Sequence, residues 1–183
     1  MDNEFPKIVR RSVTKVSPWV DIIARDVVFV PGAEPQTYHA VGQQDYLAIV
    51  ALTPDGRFPV VRQYRPARER FTWELPAGLV EPGENPAQSC VRELQEETGL
   101  TARSVHTLGA ATPCSARLSN RIHSFFVETG ERVRDFKPEA GMTVRLCTPE
   151  ELVAMVKTGD LDLQLHLGAL LLAELHGHIR LPA

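Results

Sequence analysis

Cysteine is scarce. Cys90, Cys114 and Cys147 are odd in number and widely spaced, which excludes a disulfide framework and fits reduced thiols in a cytosolic protein. No Cys/His cluster has ligand spacing, so a zinc centre is not expected. Charge of one sign is also lacking: 20 Lys and Arg stand against 23 Asp and Glu, and the arginines are dispersed. A chain with no basic field is a poor nucleic-acid partner. There is no long hydrophobic run either. The most apolar stretch, Leu161 to Leu175, is broken by Asp162, Gln164, His166 and Glu174, and no basic-plus-apolar leader opens the sequence. A soluble, cytoplasmic protein without membrane partners is expected. Repeats, low-complexity tracts and long linkers are absent, and 183 residues suffice for one main domain with a small appendage.

What is present is concentrated in Gly78 to Leu100, GLVEPGENPAQSCVRELQEETGL. Asn85 is a good N-cap, Pro86 suits the first helical position and Gly99 is a good stop, so a helix of about three turns is expected between them. At about 100° per residue, Ala87, Cys90, Val91, Leu94 and Thr98 share a packing stripe, with Glu93, Glu96 and Glu97 on an outward arc beside it. Glu93 and Glu97, at i and i+4, can converge on a hard cation, and Glu96 joins them. The plain alternative is a solvated acidic face with Arg92 paired to Glu96. Two features favour the cation. The acids lie in the last half of the helix, where the macrodipole disfavours negative charge, and the preceding Leu75 to Glu84 segment is a Gly/Pro-punctuated loop that can bring backbone carbonyls and Glu84 toward them. An acidic helix that holds divalent cations suits hydrolysis of a diphosphate, whose charges must be neutralised before water can attack.

This run resembles the signature box of the Nudix hydrolases, with every specified position met. The resemblance implies an α/β fold: an α/β/α sandwich around a mixed β-sheet, and hydrolysis of a nucleoside diphosphate linked to another moiety, using Mg²⁺ or Mn²⁺. It makes Glu93 and Glu97 the chief metal ligands. Glu96 assists, and the carbonyl of Ala77 adds an oxygen. Arg92 orients the glutamates, while Gly78 and Glu84 support the loop.

Before the box, residues 8 to 41 read as short strands, IVRRSVTKV, WVDIIARDVVFV and TYHAV, forming a small antiparallel sheet. We expect residues 1–42 to form this sheet and 43–183 the main domain. Tyr46 to Leu52, the turn Thr53-Pro54-Asp55-Gly56 and Phe58 to Tyr64 read as a hairpin. After the box, strands are expected near Arg103–Leu108, Ile122–Glu128 and Met142–Cys147. A capping box, Thr148-Pro149-Glu150-Glu151, opens a helix ended by Gly159, and Leu163 to His176 reads as a last, largely buried helix.

The N-terminal sheet, Gln63-Tyr64-Arg65 and Trp73 to Gly78, together with the box, resemble the ADP-ribose and nucleotide-sugar pyrophosphatase branch. That resemblance implies a homodimer with exchanged N-terminal sheets, and a base stacked between aromatics, for which Trp19 and Tyr38 are the candidates. An aromatic in a strand is more often a core residue than a stacking platform, which is the plain reading of each. Arg65 can fork onto a phosphate or form a surface ion pair. The branch places a catalytic base in the loop before the final strand, which here points to Glu139, with Glu131 and Asp135 in reserve and an exposed loop charge as the plain reading. A Pro-Gly pair of many branch members is Pro113-Cys114 here, where a thiol can reshape the pocket for the non-nucleotide half of the substrate. His123 reads as a packed strand residue. The expected function is hydrolysis of ADP-ribose or a related nucleoside diphosphate sugar. The alternatives are GDP-mannose, NADH or another dinucleotide, or a non-catalytic nucleotide-sugar sensor, against which the intact Glu93, Glu96 and Glu97 argue.

Overall fold

The computed structural model describes residues 5–182. The chain divides into two compact units, one built from residues up to Gln44 together with Thr112–Arg121, the other from Asp45–Ala111 and Ile122 onward.

The first unit is an antiparallel sheet of β1 (Lys7–Lys15), β2 (Asp21–Val28) and β3 (Gln36–Gly42), in that order. Its strands match the sequence expectation closely. All nine residues of β1, an edge strand of this sheet, are exposed. Val41 ties the Thr112–Arg121 segment to the sheet: its amide donates to the Arg117 carbonyl, and its own carbonyl accepts from Ser119.

The second unit holds a mixed sheet with the order β7-β4-β9-β8, formed by β7 (Ala77–Leu79), β4 (Tyr46–Leu52), β9 (Ile122–Arg132) and β8 (Leu100–Ala111). Only β4 and β9 run parallel. A second sheet has the order β10-β5-β6, from β10 (Thr143–Cys147), β5 (Phe58–Arg65) and β6 (Arg70–Glu74). The helices are α1 (Pro86–Thr98), α2 (Pro149–Thr158) and α3 (Gln164–Leu175).

Residues 47–51 of β4 are buried on both faces, as befits a near-continuous apolar run at the centre of a covered sheet. Leu47, Ile49 and Ala51 face α1 and pack with Cys90, Leu94, Phe125 and Val127. Ala48 and Val50 face the other way, into the core shared with Phe58, Leu152 and Leu170. The result is the expected α/β/α arrangement.

Three expectations need correction. The turn after β4 forms, with Thr53 accepting from the Gly56 amide, but β4 and β5 enter different sheets and are not a hairpin. The segment before the box is not all loop, since Ala77–Leu79 pairs with Tyr46–Ala48. The last helix buries only one face, through His166, Ala169, Leu170 and Ala173, leaving Leu171 and Leu175 exposed.

Candidate active site

The box helix begins and ends where its residues dictate. Asn85 Oδ1 accepts from the Gln88 amide at 3.0 Å while Gln88 Oε1 accepts from the Asn85 amide at 3.1 Å. This reciprocal capping box satisfies two otherwise orphaned donors. At the other end Gly99 takes φ 73°, the left-handed conformation that glycine adopts without a Cβ penalty.

The packing stripe is rotated from the periodicity estimate. Cys90, Leu94 and Thr98 are buried, but Ala87 and Val91 are exposed, and Ser89 and Glu97 are buried in their place. Polar contacts account for the rotation. Ser89 donates its hydroxyl to Glu84, and Glu97 turns toward β7, where its Oε2 accepts from the Ala77 amide at 3.0 Å. Glu97 is thus only 7% exposed.

Arg92 is the hub of the carboxylates. Its Nε and Nη2 donate to Glu84 at 3.2 and 3.1 Å, Nη1 donates to Glu93 at 2.8 Å and to Glu96 at 3.1 Å, and Nη2 also reaches the Leu79 carbonyl. Bonds to Arg92 and Ser89 hold the Glu84 carboxyl below its usual range, and the same carboxylates hold the guanidinium protonated. Burial pushes Glu93 up despite Arg92, and pushes Glu97 up to about 8, against the opposing Ala77 amide bond. Gly78 packs against the Glu93 carboxylate so closely that a Cβ would overlap it. Glycine is required here for the close approach, not for its backbone conformation.

Among the described residues no three His, Cys, Asp or Glu side chains form a ready cation cage. Arg92 engages Glu93 and Glu96, and the Ala77 amide engages Glu97. The donor set still suits a hard divalent ion: the carboxylates supply oxygen only, two of them are desolvated and costly to ionise without a cation, and Mg²⁺ needs only one or two carboxylates.

Behind this helix lies a network that sequence reasoning missed. Arg65 donates Nε to Glu74 Oε1 at 2.8 Å and Nη2 to Oε2 at 2.5 Å, and the Thr72 hydroxyl donates to the same carboxylate. Glu74 is 2% exposed. Burial alone would raise its pKa, yet the bonds from Arg65 and Thr72 prevail and hold it below the ordinary value. The ion-pair reading of Arg65 is therefore present, with a buried rather than a surface partner. One residue on, the Leu75 amide donates to Nδ1 of His166 at 3.2 Å. Burial pushes His166 down to about 4, so the ring is neutral with its proton on Nε2.

The remaining candidates lie on other elements of the chain. Glu139 sits on the exposed β9–β10 loop, where its carbonyl accepts from the Met142 amide. That loop starts at the end of α1, with the Val133 amide donating to the Gly99 carbonyl at 2.7 Å and Phe136 packed on Gly99. Trp19 and Tyr38, in the first unit, are 63% and 46% exposed, so neither is a core residue. Cys114 opens a turn by accepting from the Arg117 and Leu118 amides, without a positive φ. His123 is not merely packed: its Nε2 lies 2.9 Å from Asp45 Oδ2.

Residues 43–165 match the family of the NUDIX domain. The chain belongs to the Nudix family. This Nudix chain is 28% identical to an ADP-ribose pyrophosphatase of Bacillus subtilis (strain 168) over 144 residues, covering 77% of each chain. It is 44% identical to an ADP-ribose pyrophosphatase of Mycobacterium tuberculosis over 81 residues, 44% of this chain and 39% of that one. In fold it superposes on the crystal structure of an ADP compounds hydrolase with a TM-score of 0.82, at 18% identity, covering 99% and 100% of the two chains. The resemblance to the ADP-ribose pyrophosphatase branch, read from the N-terminal strands, Gln63-Tyr64-Arg65, Trp73 to Gly78 and the box together, is thus borne out, and the chain is a Nudix pyrophosphatase. Nudix hydrolases generally use divalent cations and act on small nucleotide substrates. Among the described residues no helix is long and apolar enough to cross a membrane.

Proposed function

We propose that this Nudix enzyme hydrolyses the diphosphate bond of ADP-ribose or a related nucleoside diphosphate sugar, giving a nucleoside monophosphate and a sugar phosphate. Glu93, Glu97, Glu96 and the Ala77 carbonyl would hold Mg²⁺ or Mn²⁺. The reading is carried by two desolvated carboxylates on one helix, Glu93 set against Gly78, which leaves no side chain between it and the strand, and Glu97 on the neighbouring Ala77 amide. The names of its relatives supply the substrate class. When bound, the cation neutralises the diphosphate and lowers the pKa of its water.

The chain's own residues orient and accept protons. Arg92 fixes Glu93 and Glu96 while Glu84 fixes Arg92, and the Ala77 amide orients Glu97. Glu139 is the proposed base that takes the proton of the attacking water, and Glu131 and Asp135 are the substitutes if it fails. Arg65 commits Nε and Nη2 to Glu74, which leaves Nη1 outside that fork to meet a phosphoryl oxygen.

Trp19 and Tyr38 are exposed as a stacking role requires. With Val9, Val13 and Val16 of the same unit also exposed, the first unit presents apolar surface that a homodimer would cover. The three free thiols favour a cytoplasmic enzyme.

A panel of nucleoside diphosphate sugars and dinucleotides, incubated with Mg²⁺ and followed by product identification, tests the reading. Release of nucleoside monophosphate from ADP-ribose, abolished in Glu97→Gln, is expected. No monophosphate from any compound, or unchanged turnover in Glu97→Gln, refutes it.

A further inference from the structure

Between β6 and β7 the chain leaves one sheet and joins another: Glu74 pairs with Val61 of β5, whereas Ala77 pairs with Ala48 of β4. The crossing is Leu75-Pro76, and neither ladder can use the Leu75 amide. It is instead taken by the Nδ1 atom of His166, from the first turn of α3 and 91 residues away. The crossing residues all carry structural bonds: Glu74 holds Arg65, the Pro76 carbonyl accepts from Ile49 at 3.0 Å, and the Ala77 amide holds Glu97.

His166 is a costly choice for this place. It is 0% exposed, and its Nε2 has no hydrogen-bond partner among the described residues. A buried donor left without a partner is destabilising. Leucine would fill the same core without that cost, so what histidine adds is the Nδ1 acceptor.

We propose that His166 is a positioning residue of the active site. By holding the Leu75 amide, it fixes the Leu75–Ala77 crossing so that the Ala77 amide and carbonyl stand where Glu97 and a cation need them. The proposal rests on the reading of Glu97 as a cation ligand given above.

The test compares His166→Leu, which removes the acceptor, with His166→Asn, whose Oδ1 can stand in for Nδ1, and His166→Gln, whose oxygen lies further out. Mn²⁺ binding is followed by electron paramagnetic resonance without substrate, and kcat and KM are measured alongside. Partners that orient a metal ligand typically contribute 10–100-fold in affinity or activity. His166→Leu and His166→Gln should therefore weaken Mn²⁺ binding and lower kcat about tenfold or more, with KM for substrate little changed, while His166→Asn stays within about threefold of the native protein.

Equal losses in Leu and Asn would mean that the residue only fills space, and native Mn²⁺ affinity in Leu would also overturn the proposal. If His166→Leu does not fold, the Asn and Gln variants decide, and equal affinity in those two overturns it. Glu97→Gln is measured in parallel: native Mn²⁺ binding there refutes the site reading itself. Loss there with native binding in His166→Leu refutes only the positioning role.

Discussion

Replacing Gly78 by alanine probes the site without removing any of its functional groups. A Cβ at position 78 would overlap the carboxylate carbon and both oxygens of Glu93. Carbon atoms in contact sit about 3.5–4.0 Å apart, so the Glu93 carboxylate must retreat by at least about 1 Å. Such a movement breaks or stretches its 2.8 Å bond to Arg92 Nη1, and Arg92 also carries Glu84 and Glu96. Misplacement by about 1 Å commonly costs about 10²-fold in rate, and overpacking costs about 1–3 kcal/mol in stability. Gly78→Ala should therefore remain folded at 25 °C, melt several degrees lower, and lose about 10²-fold in kcat at saturating Mg²⁺, with a weaker apparent Mg²⁺ affinity. Initial-rate kinetics over a Mg²⁺ titration, with thermal unfolding of the same preparations, makes the measurement. A kcat within about threefold of the native enzyme in a folded variant would show that Glu93 does not need the place it occupies, and would refute the reasoning.

Three further outcomes are expected. Arg65→Met strands the buried Glu74 carboxylate and should destabilise by about 3–5 kcal/mol at pH 7. Because the Glu74 pKa is held low in the folded protein, its contribution is present above the unfolded value of about 4.3 and is lost as pH falls through the folded value. The gap between native and Arg65→Met in urea unfolding should thus narrow toward pH 3, and a gap that stays constant with pH would contradict the pairing. Metal-free Glu97→Gln should be more stable than the metal-free native protein at pH 7 by about 3–4 kcal/mol, since a carboxyl raised to about 8 costs folding energy as pH rises above its unfolded value. The difference should vanish near pH 4, and saturating Mg²⁺ should stabilise the native protein more than the variant. In α3, Gly168 has open space where a Cβ would stand, so Gly168→Ala should stabilise by about 0.5–1 kcal/mol with unchanged activity.

Local signals in the sequence located what depends on neighbours in the chain. Asn85, Pro86 and Gly99 bounded α1, and Thr148 with Glu151 marked the start of α2, because capping is a contact over three or four residues. The four-residue turn after β4 was equally legible, but the sheet that each flanking strand joins was not, since that choice is made by distant partners. β7 escaped notice because Ala-Gly-Leu is too short to show alternation. At the site, the order of Arg92 and the glutamates along one helix was visible. The inward turn of Glu97 was not, because it depends on the Ala77 amide twenty residues away. His166 had no signal at all: its partner is a backbone amide in a distant strand connection.

The segment Thr112–Arg121 belongs with the N-terminal strands, although it joins β8 to β9, which are neighbours in the mixed sheet. The chain therefore passes between the two units at three places, not one. A protease cut near Gln44 would nick the molecule without releasing the first unit. A truncation beginning at Asp45 would strip the Arg117 carbonyl and the Ser119 amide of their Val41 partners and leave a loose ten-residue loop between two core strands. To isolate the second unit, residues 1–44 must be removed and Ala111 joined to Ile122 by a short turn. The antiparallel register of that pair already supports such a junction.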